Sequence, residues 1–244
     1  MNLPNAITAE RIVAAPLIAL LIVNARWELR LAGWVLYVAA AVTDYVDGHM
    51  ARSRNLVTDL GRLLDPIADK ALLVCTLVPM YWLERGVPLF APMPAAGQWG
   101  IDDVVGPVSV GEHLAYPLVT PLGLIGLPLW IVIVVLGREL FMTIFRQVAA
   151  RRGVIISAIG PAKWKTGFQS LWVGAAFFWY FASLGAADAR WSSSAWRGFA
   201  LFNGTVGALA MMGAVVLTLY SLVLYLSRYW TVFIGAGDER TTAR

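Results

Sequence analysis

The stretch TDYVDGHMARSRNLVTDLGRLLDPIADK, Thr43 to Lys70, holds the carboxylates that decide how the chain is read. Asp44 and Asp47 are spaced i, i+3 and Asp65 and Asp69 are spaced i, i+4, so each pair lies on one face of a helix. A connection of roughly a dozen residues makes the two helices antiparallel neighbours, and the four carboxylates converge. Two like charges about 5 Å apart repel by about 3 kcal/mol at an effective dielectric of ~20. Divalent cations relieve that repulsion. All-oxygen ligands favour Mg²⁺ or Mn²⁺ over zinc or copper. Two such ions balance the four charges, as in a two-metal site for a phosphate-bearing substrate. Gly48, directly after Asp47, lets a ligand approach the helix closely, and Gly61 does the same or permits a turn. Arg52, one turn beyond Gly48, reaches a phosphate oxygen.

Outward from this stretch the chain is apolar. Of its 244 residues 59% are hydrophobic and 14% charged, with mean hydropathy +0.69, against about 25% charged in a soluble domain. A bilayer-spanning helix needs about 20 mostly apolar residues, and such runs recur along the whole length. The pattern predicts an all-α integral membrane protein with six transmembrane helices: Ala6 to Val23, Leu31 to Gly48, Leu63 to Leu83, Leu127 to Val148, Thr166 to Leu184 and Phe199 to Leu226. On this scheme 14 of the 19 Lys and Arg fall on the side holding both termini and the loops after the second and fourth helices. The positive-inside rule then puts both termini in the cytoplasm. Residues 1–230 form one membrane domain, with 86–124 an extracytoplasmic loop and 231–244 a cytoplasmic tail. The aspartates sit at the cytoplasmic ends of their helices.

The loop from Gly86 to Leu124 is long, rich in Gly and Pro, and free of Lys and Arg. A loop of this length in a compact protein is functional or disordered. His113 within it reads as an ordinary loop residue. Trp27, Trp82, Trp191 and Trp230 lie near predicted helix ends, as interfacial anchors do. Cys75, the single cysteine, cannot form an internal disulfide and reads as a small buried residue. No cleavable leader is expected, because the N-terminus lacks a basic region and the first apolar run carries Glu10 and Arg11. No nucleic-acid partner is expected. Acidic residues inside membrane spans are rare and usually functional. An ion-coupled transporter is the competing use of such carboxylates, but its sites usually lie near the midplane on broken helices, whereas these lie at span ends.

The motif Asp-x2-Asp-Gly-x2-Ala-Arg-x8-Gly-x3-Asp-x3-Asp, here Asp44, Asp47, Gly48, Ala51, Arg52, Gly61, Asp65 and Asp69, resembles the signature of the CDP-alcohol phosphatidyltransferases at every fixed position. Leu3-Pro4-Asn5 with Thr8 and Arg11, Asp65 to Lys70, Gly137 to Leu140 with Arg146, and Lys163, Lys165, Thr166 and Gln169 resemble the bacterial phosphatidylglycerophosphate synthases within that family. The longer outer loop, Gly160-Pro161 ahead of Lys163, and His49 where an aromatic is common depart from that pattern.

The resemblance implies a bacterial-type inner-membrane, multi-pass enzyme whose active site faces the cytoplasm. It implies transfer of a phosphatidyl group from CDP-diacylglycerol to sn-glycerol 3-phosphate with two Mg²⁺ or Mn²⁺ ions, among membrane lipids and as a homodimer. Asp44 and Asp65 would contact both ions, Asp47 and Asp69 one each, and Asp69 would also be the general base. Asn5, Thr8, Gly48, Ala51, Arg52, Thr58 and Gly61 would hold the CDP-lipid, and Arg138, Arg146, Lys163 and Lys165 the acceptor phosphate. Arg151 and Arg152 read as facing anionic headgroups. The same chemistry with another acceptor, phosphatidylglycerol as in cardiolipin synthase or an inositol phosphate, is the alternative within the family. A non-catalytic scaffold that keeps the motif is the alternative outside catalysis.

Overall fold

The structure, a computed structural model, describes residues 3–54, 59–95, 99, 104–152, 156 and 160–234. Within the helices the side chains at 3–7, 44–54, 59–63, 65, 161–163 and 230–234 lie outside the description. The described residues form six helices: α1 (Leu3–Ile22), α2 (Trp27–Arg54), α3 (Asp59–Glu84), α4 (Leu129–Arg151), α5 (Gly160–Asp188) and α6 (Ser194–Ile234). Most run past the predicted boundaries. Hydropathy sees only the apolar part of a helix, and these helices continue into polar turns. α2 continues to Arg54 and α3 begins at Asp59, so both helices extend into the dozen residues expected to connect them, and residues 55–58 lie outside the described residues.

Among the described residues three stretches are long and apolar enough to cross a membrane, Pro66–Glu84, Trp164–Asp188 and Ser194–Tyr229. The apolar run of α4 is interrupted by Arg138, Glu139 and Arg146. α1 packs on both α2 and α3, and α5 lies between α2 and α6 while α4 meets α3 and α6. Ala15, Ile18 and Ile22 form the buried stripe of α1, with the spacing of a single helical face. α5 is the central helix. Its Trp172, Val173, Ala176, Phe177, Trp179 and Tyr180 are all buried, a broad face covering nearly half of the helix. The outward surfaces carry apolar side chains too, such as Leu20, Phe202, Leu209 and Val216, as a lipid-facing surface requires.

The all-α expectation needs correction between α3 and α4. The segment there forms two antiparallel hairpins, β1 (Val108–Val110) with β2 (His113–Ala115) and β3 (Leu118–Thr120) with β4 (Gly123–Ile125). β-branched residues next to Gly turns favour extended pairing, and Gly111 and Gly123 take the positive φ angles of +60° and +129° that the turns need. These hairpins are packed rather than loose. Val105, Ala115, Tyr116, Leu118, Val119 and Ile125 join the main core.

A buried polar cluster fastens this cap. Arg30 donates to the Asn24 carbonyl at 2.7 Å and the Tyr180 carbonyl at 3.1 Å, and its guanidinium lies 4.2 Å over the Tyr116 ring. The Tyr180 hydroxyl donates to the buried Glu84 carboxylate, and the Tyr116 N–H donates to the Leu83 carbonyl at 3.0 Å. Arg30, one of the five Lys and Arg that the six-helix scheme puts on the side opposite the termini, is buried and serves packing.

β3 lies so close to α6 that a Cβ at Gly204 would sit 1.9 Å from the Val119 carbonyl oxygen. Backbone cannot give way cheaply. Gly204→Ala should therefore lower the midpoint of thermal unfolding in detergent by several degrees, at a cost of about 1–3 kcal/mol for overpacking. Gly198→Ala, on the same helix with nothing within 4 Å of its Cβ position, should leave the midpoint unchanged or slightly raised.

Candidate functional site

A cavity of about 200 Å³ opens where α1 to α5 meet, lined among others by Arg11, Tyr37, Asp69, Glu139, Lys165 and Gln169. One wall carries Asp69. Arg11, reaching across from α1, places Nη1 3.4 Å from Asp69 Oδ1, with Arg11 buried and the aspartate side chain 64% exposed. An ion pair open to solvent on one side contributes at most about 1 kcal/mol. Its consequence is geometric, since a fixed cation holds the carboxylate at the cavity mouth. Thr8, buried one turn before Arg11 on α1, sits on the same wall of the bundle.

The opposite wall is a charge cluster in which Arg138 and Lys165 are buried, Glu139 is partly exposed and Arg146 is exposed. Glu139 on α4 accepts through Oε1 from Arg138 Nη1 at 2.8 Å and from the Lys165 ammonium of α5. Arg138 Nη2 donates to Ser221 Oγ on α6 at 2.8 Å, and the Ser221 hydroxyl donates to the Thr218 carbonyl. Arg146 donates from Nη2 to the Tyr225 hydroxyl at 3.2 Å, with its guanidinium 5.5 Å from that ring, and acts electrostatically on Lys165. Three cations against one carboxylate leave the cluster cationic.

The residues expected from the sequence are placed unevenly. Asp69 and Lys165 line the cavity. Arg138 is buried beside it, engaged with Glu139 and Ser221, and reaches the cavity through Glu139. Arg146 lies toward α6. Asp44, Asp47, Gly48, Ala51 and Arg52 fall on α2, Gly61 and Asp65 on α3, Asn5 on α1 and Lys163 on α5, all with side chains outside the described residues. Thr58 lies wholly outside them. Among the described residues no three acidic, His or Cys side chains come together. Of the four aspartates only Asp69 has a described side chain, and its open, all-oxygen carboxylate suits a hard cation.

Glu139 and Arg11 were visible in the sequence only as parts of resembling segments. The signal for Glu139 was there: a buried arginine in an apolar helix needs an anion, and the next residue supplies it. Nothing in the sequence pointed to Tyr37, whose hydroxyl donates to the Ser170 carbonyl at 3.2 Å, or to Ser221.

Removing the shared anion tests the cluster. Glu139→Ala leaves Arg138 and Lys165 buried without a counter-ion and should cost about 3–5 kcal/mol, read as loss of the folded species on heating in detergent. Glu139→Gln, which keeps an acceptor, should cost visibly less.

The CDP-alcohol phosphatidyltransferase family matches residues 1–100 and 103–220. The chain is similar to the CDP-diacylglycerol–glycerol-3-phosphate 3-phosphatidyltransferase of Rickettsia bellii, 47% identical over 77 residues, a match spanning 32% of this chain and 42% of the relative. The enzyme of the same name from Bacillus subtilis is 31% identical over 71% of this chain and 75% of its own length. The cardiolipin synthase (CMP-forming) of Oryza sativa is 29% identical over 96% of this chain and 59% of its own length.

Proposed function

The chain belongs to the CDP-alcohol phosphatidyltransferase family, and from that premise we propose that it moves the phosphatidyl group of CDP-diacylglycerol onto sn-glycerol 3-phosphate, giving phosphatidylglycerophosphate and CMP. The observation that carries this reading is one cavity with the Asp69 carboxylate on one wall and the Lys165–Glu139 pair on the other. The first suits removal of a proton from a hydroxyl. The second suits a phosphate. Arg138, Lys165 and Arg146 against Glu139 leave a net charge of about +2, which complements a phosphate monoester of about −1.5 to −2. A phosphodiester such as phosphatidylglycerol carries one negative charge and leaves the cluster unbalanced. The similarity to a cardiolipin synthase over nearly the whole chain keeps phosphatidylglycerol as the second acceptor to be assayed.

In the proposed reaction the acceptor phosphate docks against Lys165, held in place by Glu139 and, through Glu139, by Arg138. The free hydroxyl then lies near Asp69. The carboxylate takes the hydroxyl proton as the oxygen bonds to the β-phosphorus of the CDP-lipid, and the phosphoanhydride bond to CMP breaks. Holding both reactants in one cavity supplies much of the rate, because a carboxylate is a weak base. Arg11 keeps Asp69 at the cavity mouth. Two Mg²⁺ or Mn²⁺ ions, held by Asp44, Asp47, Asp65 and Asp69, would neutralise the pyrophosphate oxygens. Asn5, Thr8, Gly48, Ala51, Arg52, Thr58 and Gly61 are the proposed surroundings of the nucleotide, and Lys163 a further partner of the acceptor phosphate. The six helices are proposed to cross the inner membrane with both termini and the aspartates on the cytoplasmic side, in a homodimer.

CMP release from CDP-diacylglycerol in the presence of Mg²⁺ or Mn²⁺ tests this. Release should require glycerol 3-phosphate and fail with phosphatidylglycerol or inositol phosphate. Asp69→Asn should lower kcat by about 10²–10⁴-fold, the usual worth of a positioned base. Lys165→Met should raise KM for glycerol 3-phosphate and leave KM for the CDP-lipid little changed. Release that is independent of every acceptor, or unaffected by Asp69→Asn, contradicts the assignment.

A further inference from the structure

The hairpin β3–β4 lies at a depth that an external loop does not reach. α5 supplies the scale. Its Lys165 belongs to the charge cluster, and its Gly185 packs against the ring of Trp27 at the other end of the bundle. About 30 Å of helix separates those two residues, close to the thickness of the hydrocarbon layer. Ala175 lies halfway between them.

α6 runs beside α5 at this level, with Asn203 Nδ2 donating to the Ala175 carbonyl at 3.2 Å. Here β3 enters. A methyl group at Gly207 would lie 3.0 Å from Leu118 Cδ1 and 3.4 Å from Ala175 Cβ, so the three residues meet. One turn earlier on α6, Gly204 faces the Val119 carbonyl. The backbone of β3 therefore sits near the middle of α5 and about a third of the way along α6.

Irregular backbone at such depth is tolerated only where its polar groups are satisfied within the protein, and this hairpin meets that condition. Leu118, Val119, Thr120, Leu124 and Ile125 are buried. At the turn, Pro121 has no N–H, the Leu122 N–H donates to Thr120 Oγ1 at 3.3 Å, and the Thr120 hydroxyl donates to the Gly123 carbonyl at 2.7 Å. The Leu124 N–H and carbonyl are both bonded to Ala91, at 2.9 Å each. What remains exposed is the tip, Pro121 and Leu122, with Leu122 95% exposed. An aqueous turn normally exposes Asn, Asp, Ser or Gly, which hydrogen-bond or relax the backbone. A tip of Pro and Leu, with no free N–H at either residue, is built for an apolar medium.

We propose that β3–β4 is a re-entrant membrane element whose Pro121–Leu122 tip contacts lipid acyl chains, so that part of the 86–124 segment lies inside the bilayer rather than in water. The proposal rests on α5 and α6 crossing the membrane. It is independent of the acceptor and of the metal ions. β3 packs against α6. The hairpin leads directly into Leu129, where α4 starts.

Nitroxide accessibility tests it without reference to activity. In a Cys75→Ala background, Leu122→Cys, Glu112→Cys and Phe202→Cys are spin-labelled and reconstituted in phosphatidylcholine–phosphatidylglycerol vesicles. Collision with oxygen, which partitions into hydrocarbon, is compared with collision with a polar nickel chelate. Glu112 is exposed on the β1–β2 turn and Phe202 is exposed on α6, so they serve as aqueous and lipid standards. The label at 122 should show an oxygen-to-nickel ratio several-fold above that at 112 and close to that at 202. Nickel collision equal to that at 112 would place the tip in water and overturn the proposal. Low collision with both reagents would show it covered by protein, such as a second copy of the chain, and would overturn it equally. Pro121→Cys repeats the measurement if Leu122→Cys is not recovered folded.

Discussion

A charge carried below the surface of an apolar bundle has to find its counter-ion inside the protein, because the surroundings offer none. In this chain Glu139 performs that service for two cations at once. Its Oε1 accepts from Arg138 and Lys165, and Arg138 extends the link to Ser221. One carboxylate thereby ties α4, α5 and α6 together at the level of the cavity. Breaking a buried pair by removing one partner costs far more than the pair contributes over an apolar replacement. The cluster is therefore better explained by the site it builds than by the stability it adds.

The other end of α5 repeats the arrangement with different residues. Tyr180 donates to Glu84 of α3 and its carbonyl accepts from Arg30 of α2, while Arg30 covers the ring of Tyr116 from the cap. About 22 Å of helix lies between Lys165 and Tyr180. The central helix is thus pinned at two levels by charged contacts, with large aromatic side chains packed between them. Trp172, Phe177 and Trp179 are each under 2% exposed. A helix fixed at both ends cannot slide to relieve a mismatch at one of them. That rigidity is what allows Lys165 to be held at a set place opposite Asp69.

Much of this was legible in the sequence, and the rest was hidden for definable reasons. The six helices could be read because each carries an apolar run long enough to show, and the aspartate motif because its spacing is rigid. The ends of α2 and α3 could not be read, since polar turns such as His49 to Arg54 look like loop to a hydropathy scan yet remain helical. The hairpins were hidden by their Gly and Pro content, which signals a loop wherever extended pairing is not also considered. The partners of Arg138 divide along the same line. Glu139 is its neighbour in sequence and could be inferred, whereas Ser221 is 83 residues away and only the packing of α6 brings it near.

The two walls of the cavity are built on opposite principles, and the proposed chemistry explains why. Asp69 is mostly exposed and meets Arg11 at 3.4 Å, while Lys165 is buried and bonded to a carboxylate that also accepts from Arg138. On the proposed reading Asp69 takes up a proton and shares metal ions, which requires a change of contacts during a turnover, and its solvent-open position permits that. A group that recognises an anion is most effective when its position is fixed beforehand, since no binding energy is then consumed in ordering it. Exchanging the two environments would leave a buried carboxylate short of cations and a mobile ammonium screened by water. In the proposed reaction the difference in burial between Asp69 and Lys165 would correspond to a division between the reacting end of the acceptor and its anchoring end.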